Sequence, residues 1–388
     1  MTLYISISSL QTSARPETMH SLRIPSAPGA LSKPSQAGFG LVEVMIAMAI
    51  GMIGILAMMQ AFAVNERYKE NTVGSSGAQT NGSIALFTIE RDVRMAGYGI
   101  TNSGALGCST IQYHYDGAYS DPPGGGAGAP LPTLIMAPVV ITQGSGTNPD
   151  SLATMSSSNA YRFAPATITS TMPHSSAELN IDDVTGFAEN DLVVATQGTS
   201  CALMQVTQVQ GAALKLQHNP GVSAPYNPAG GGNLLPAFGQ GAQLFNLGNP
   251  QIRFYAVGSN NLTVQEWRLM LAGGTPTVLV DEIVDLQAEY GVDDGSNGGT
   301  AGDGSVDGYT VTTPASAAGW AQVLAIRLAV LARGPYDKPD TSGTCTATTV
   351  APTWAGGNLN IPGGVPSCYR YRVFETLVPI RNMIWRDA

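Results

Sequence analysis

The chain has 388 residues, a formal net charge of −9 and only 12% charged side chains. Its Lys and Arg are too few and too scattered to neutralise a run of phosphates, which excludes an electrostatic grip on nucleic acid. Gly (46) and Pro (25) are plentiful while apolar residues still reach 44%, a balance that excludes a disordered chain and implies an ordered, loop-rich one.

Residues 1 to 38 carry Arg15, Arg23 and Lys33 against one acid, Glu17, and are rich in Ser and Pro, as expected of a leader held on the cytoplasmic side by positive charge. From Val44 to Val64 there follow about 21 uncharged residues, close to the roughly 20 that span a bilayer as a helix. A secretory signal would have a shorter apolar core with its small-residue cleavage site on the far side. Here the small residues, Ala37 and Gly38, precede the run, and one carboxylate, Glu43, stands at its start. The stretch Gly38-Phe39-Gly40-Leu41-Val42-Glu43 resembles a prepilin-type signal. That resemblance implies cleavage between Gly38 and Phe39 by a prepilin peptidase, and N-methylation of the new terminal Phe39. It also implies that Glu43 pairs with the terminal amine of a neighbouring subunit during assembly. The physics agrees, because cleavage exposes a cationic amine and a buried ion requires a partner. A carboxylate snorkelling to the headgroups is the alternative at this point.

Beyond Val64, Leu86, Ile89, Val93 and Ala96 fall at helical spacing, Glu90 stands four residues before Arg94, and Gly97 supplies a stop. One imperfect helix is therefore expected from about Leu41 to Met95, apolar in its first half (39–64) and amphipathic in its second (65–99). Gly74, Gly77 and Gly82 each cost about 1 kcal/mol in a helix interior and predict a kinked or locally melted connection. Residues 100–388 read as a β-rich globular domain. Strands are predicted at Asp191 to Gly198, Ala202 to Gln210, and Ile252 to Trp267, the last as a hairpin turning at Gly258 to Asn261. Trp320 to Ala332 and Tyr369 to Asn382 predict long antiparallel partners, although the first is also compatible with a helix. The Gly/Ser/Pro-rich stretches 117 to 130 and 227 to 243 read as exposed loops.

Cys108, Cys201, Cys345 and Cys368 lack CxxC spacing, which argues against zinc or thioredoxin chemistry. In an exported chain they suggest two disulfides, with three pairings open and four free thiols as the alternative. Cys345 with Cys368 is preferred, closing a loop of about twenty residues for roughly 3 kcal/mol, and Cys108 with Cys201 then follows.

The segment 81–99, NGSIALFTIERDVRMAGYG, is similar to the helix end of the PilW family of minor pilins, with Ser83 where Arg is usual. VTGFAENDLVVA (184–195), LVDEIVDLQAEYGVD (279–293), WAQVLAIRLAVLAR (from Trp320) and VFETLVPIRN (373–382) resemble that family in the same order. The resemblance implies an α+β, pilin-like fold in which a long N-terminal helix carries an antiparallel β-rich domain. It implies a minor pilin that primes type IV pilus assembly and sits at or near the tip. Its implied partners are the prepilin peptidase, other minor pilins, the major pilin, the inner-membrane assembly platform and a tip adhesin. The alternatives are a minor pseudopilin of a type II secretion system and a single-span, membrane-anchored binding protein.

Catalytic signatures are absent from the sequence. His20, His114, His174 and His218 lack HExxH spacing, and there is no GxSxG elbow or P-loop, so neither an enzyme nor a bound cofactor is expected. The weak metal candidate is calcium at Asp293, Asp303 and Asp307, with Asp294 and Asn297 nearby among glycines. Without a terminal bidentate Glu, a solvated turn is the favoured reading of that stretch.

Overall fold

The helix runs without interruption over Leu41–Met95. Glycine was expected to break it, but two of the three glycines have another role. An added Cβ at Gly74 would lie 2.7 Å from Pro335 Cβ, and one at Gly82 would lie 2.1 Å from the Phe374 ring. They are small because the sheet comes that close. Gly77 faces open space. Ala78, Gly82, Ala85, Ile89, Val93 and Ala96, spaced three or four apart, form the buried stripe. Gly97 adopts φ +82° and ends the helix, as expected of a C-terminal glycine. Asn382 Nδ2 donates to the carbonyls of Met95 (3.2 Å) and Ala96 (2.9 Å), so the far end of the chain caps the helix.

The computed structural model describes residues 38–100, 106, 108, 110–116, 119–120, 129–172, 174, 178–220, 223–228 and 235–384. The leader before Gly38 and most of 117–130 lie outside these. The chain divides into two units, Met1–Ala63 and Val64–Ala388.

Within the second unit, a five-stranded sheet has the order Thr277–Asp281, Asn261–Glu266, Gln251–Gly258, Ser151–Ser156, Val139–Thr142. Its hairpin turns at Ser259 and Asn260, both with positive φ, between paired Gly258 and Asn261. A four-stranded sheet has the order Gly308–Thr310, Ile283–Val292, Val323–Tyr336, Tyr369–Pro379. The expected C-terminal pair is its strongest ladder, with Leu328 opposite Thr376 and Val330 opposite Phe374. Every ladder of three or more residues is antiparallel. The helical alternative for Trp320 to Ala332 shrinks to one turn, Ala317–Ala321, ahead of the strand.

Strand Val323–Tyr336 is covered on both faces. Ile326, Leu328, Val330 and Ala332 join the helix stripe and both sheets in the main core. Ala329 and Leu331 face a smaller core closed by Leu359, Ile361, Trp354 and Tyr371. That smaller core lies under the segment tied by the Cys345–Cys368 disulfide, whose Cα atoms are 4.6 Å apart. The second bridge, Cys108–Cys201, has a Cα separation of 6.1 Å. The first is the pair preferred from loop length, and the second is the pair that then follows by elimination.

Residues 157–250 form an insert between strands Ser151–Ser156 and Gln251–Gly258, which are themselves hydrogen-bonded neighbours. The insert contains a sheet of order Ala166–Thr167, Gln243–Gly248, Leu192–Gln197, Ser200–Gln205, and a smaller one of Leu179–Asn180, Lys215–Gln217, Gln208–Gln210. The expected strand Ala202 to Gln210 is therefore two strands in different sheets. The chain breaks at Val206–Thr207, whose N–H groups turn to Asp191 O (2.9 Å) and Gln217 O (2.7 Å). The expected exposed loop 227–243 is also corrected, except at 229–234, which lie outside the described residues. Asn227, Leu235, Phe238 and Ala242 are buried, and Phe238 fills the insert's own core beside Ile168 and Leu244.

Candidate functional site

The N-terminal determinants are presented openly. Phe39 is 83% exposed, and an added Cβ at either Gly38 or Gly40 would meet nothing within 4 Å. Glu43 lies in the first helical turn, its N–H donating to Gly40 O at 2.9 Å. A carboxylate there complements the positive helix end. Leu41–Glu66 is the one helical stretch among the described residues long and apolar enough to cross a membrane, and none of it is buried. The arrangement can do two things chemically: offer an accessible peptide bond after Gly38, and hold an acid one turn beyond it on a surface with no internal apolar partner.

At the other end, the helix is locked to the five-stranded sheet by a polar cluster that the sequence reading missed. Asp92 lies on the buried side of the helix beside Ile89 and Val93. Its Oδ2 accepts from the Tyr255 hydroxyl at 2.5 Å and from Arg253 at 2.7 Å, while Oδ1 accepts from Arg91 Nε at 3.2 Å. Burial disfavours the charged carboxylate, but the Tyr255 and Arg253 hydrogen bonds outweigh it and hold Asp92 below its ordinary value. Burial first, and then Asp92, pushes the Tyr255 phenol upward. The available signal was an acid in register with an apolar helical stripe, matched by the alternation of Arg253 and Tyr255 along one strand.

Two other buried acids tie strands together. Asp150 accepts from the N–H groups of Gly144 (2.8 Å) and Ala288 (2.9 Å), and Asp285 accepts from Asn360 N (2.6 Å) and Gln287 Nε2 (3.0 Å). Burial raises both.

The calcium candidates do come together: one carboxylate oxygen from each of Asp293, Asp303 and Asp307 lies within 4.8 Å of the others. Asp293 accepts from the N–H groups of Gly302 (2.6 Å) and Gly304 (2.8 Å), and Asp307 accepts from Gly295 N (2.7 Å). Asp294 is turned away to Ser296 N (2.9 Å), and Asn297 donates to Asp307 O (3.0 Å). The loop's own N–H groups thus occupy the buried acid on both oxygens, an arrangement that serves a closed turn as well as a cation.

Residues 33–59 match the prokaryotic N-terminal methylation motif, and residues 254–382 match the family described as type IV pilus-assembly protein W. The first match covers Gly38, Phe39 and Glu43. The second covers the hairpin from Phe254, the whole four-stranded sheet and the helix-capping Asn382. No curated protein and no solved structure matches the chain. These matches point to a structural, pilin-like protein and fit an inner-membrane-anchored form. An apolar N-terminal helix, a methylation motif and a β-rich segment that matches PilW together support a type IV pilin-like reading of the chain.

Proposed function

We propose that the protein is a minor pilin that primes type IV pilus assembly with other minor pilins and resides at or near the pilus tip. Cleavage after Gly38 and methylation of Phe39 leave it as a single-pass protein of the inner membrane until assembly. Glu43 then pairs with the terminal amine of an adjacent subunit. The globular part faces the periplasm and, after assembly, the exterior, a setting in which its two disulfides persist. Its contacts are with other minor pilins, the major pilin and the inner-membrane assembly platform, and at the tip with an adhesin.

The observation that carries the tip placement is the size of the head: Val64–Ala388 forms a single unit on one apolar helix. A subunit repeated along a helical lattice must fit against copies above and below it. A head of this size fits best where nothing stacks on it. A type II pseudopilin would share the methylation motif and Glu43, so the match over residues 254–382 is what favours the pilus.

The test combines quantitative proteomics of sheared pili, immunogold labelling and deletion of the gene. The expected result is low copy number, labelling confined to filament ends, and loss of surface pili with major pilin still present in the membrane. Labelling along the whole shaft at a stoichiometry near that of the major pilin would overturn the proposal.

A further inference from the structure

The half of the helix that belongs to the second unit has an outer face as well as a buried one. Val73, Gly77, Thr80, Ile84, Phe87 and Arg91 follow one another alternately four and three positions apart, the spacing of a coiled-coil seam. Thr80, Ile84, Phe87 and Arg91 each stand two positions from a residue of the buried stripe, more than half a turn round, so the seam points away from the sheets. Val73, Ile84 and Phe87 are exposed along it, Phe87 to 65%.

Gly77 is the informative residue. Gly74 and Gly82 are small because Pro335 and Phe374 approach them, but an added Cβ at Gly77 would meet nothing within 4 Å. A glycine in a helix interior costs about 1 kcal/mol, and no described residue packs against this one. It lies in the seam, where a missing side chain lets another backbone come close.

The surroundings narrow what comes close. Glu66, Arg67, Lys69 and Glu70 stand between the apolar span and Val73, which sets the seam apart from the lipid-facing residues. Apolar residues here form a stripe, the pattern of a helix that meets protein on that side. A four-three repeat sustained over about five turns accepts the knobs of another helix rather than a strand. A second copy lying parallel and in register would set Arg91, 54% exposed, against its own counterpart, an unfavourable meeting of like charges.

We propose that this seam docks the parallel helix of a different pilin-like chain, one that presents apolar residues at the same spacing, a large side chain over Gly77 and an acid opposite Arg91. The parallel orientation rests on the minor-pilin reading, in which both chains are anchored through their N-terminal helices.

The test places the photo-crosslinker p-benzoylphenylalanine at Thr80 or Phe87, on the seam, and at exposed Ser75, off it, in the full-length protein in its native cells. Peptide mass spectrometry should map both seam adducts to the helix of one other chain bearing an N-terminal methylation motif, with no such adduct from Ser75. Gly77→Leu separates docking from folding. It should raise the urea midpoint, because leucine favours the helix and meets open space, yet cut the Thr80 adduct about tenfold by filling the room the partner uses. An adduct between two copies of this chain, one that maps to a β domain, the same adduct from Ser75, an unchanged adduct in Gly77→Leu, or none from either seam site would overturn the proposal. Loss of pili on deletion with no seam adduct would refute the docking seam and leave the minor-pilin reading standing. Seam adducts with labelling along the whole shaft would do the reverse.

Discussion

Replacing Asp92 by Ala removes the acceptor shared by Tyr255 and Arg253 and leaves both where they are. Tyr255 is 1% exposed, so its hydroxyl would be a buried donor without a partner, at a cost of about 1–3 kcal/mol. The Arg253 side chain is 29% exposed, so water recovers part of its loss and places the ion pair at the low end of the range for broken buried pairs. Together these give a destabilisation of about 3 kcal/mol. Asp92→Asn, which keeps the shape and an acceptor for Tyr255, should cost less. The Arg91 side chain is 54% exposed, so Arg91→Ala should change stability by no more than about 0.5 kcal/mol. The assay is urea unfolding of the full-length protein followed by tryptophan fluorescence, which reports the buried Trp267 and Trp320. The carboxyl is lowered in the folded state, so its stabilisation is present above the unfolded-state value near 3.9 and is lost as pH falls through the folded value. The gap between wild type and Asp92→Asn should therefore be full at pH 6 and shrink below about pH 4. A loss under about 0.5 kcal/mol in Asp92→Ala, or a gap that widens on acidification, would refute this account of the helix anchor.

The processed protein should have an intact mass corresponding to methylated Phe39 at its start, and a mature chain still beginning at Met1 would contradict this. Glu43→Gln should leave cleavage intact and reduce recovery in sheared pili, whereas equal recovery would favour a carboxylate that only reaches the headgroups. Gly77→Ala meets open space and should raise stability by up to about 1 kcal/mol, while Gly82→Ala drives a methyl against Phe374 and should lower it; urea midpoints separate the two. Replacing Cys345 and Cys368 by Ser should cost about 3 kcal/mol by loop entropy and open residues 340–368 to limited proteolysis, and unchanged cleavage would count against the bridge's bracing role.

The elements that local chemistry dictates were legible. Helical spacing around Ile89 and Val93, the stop at Gly97, the turn at Ser259 and Asn260, and the pairing of two long β-branched runs all depend on residues close in sequence or on strong periodicity. Periodicity identifies a buried face without identifying what buries it. Gly74 and Gly82 were read as weak points because their packing partners, Pro335 and Phe374, lie far along the chain. Asp92 could be placed on the buried side, but its partners stand 161 and 163 positions away. Composition misled at 227–243, where glycine and proline punctuation outweighed Leu235 and Phe238. The segment that matches the methylation motif was the most legible part, since such a motif is defined by the order of Gly38, Phe39 and Glu43 in the chain.

Ser156 and Gln251, the last residue before the insert and the first after it, face each other across one ladder. Whatever the excursion contains, the framework sees the same doorway. Lengthening such a loop adds only slowly to closure entropy, so this junction is where a lineage can lengthen, shorten or exchange material with the strand register unchanged. The freedom is uneven. Leu192, Val194 and Phe245 help to cover Trp267 and Leu271, and the near wall must stay to keep those side chains dry. Ile168, Leu216 and Phe238 answer only to one another and to their neighbours on the far side. Divergence among heads of this kind should therefore accumulate from the outside inward, with the stem-side layer changing last.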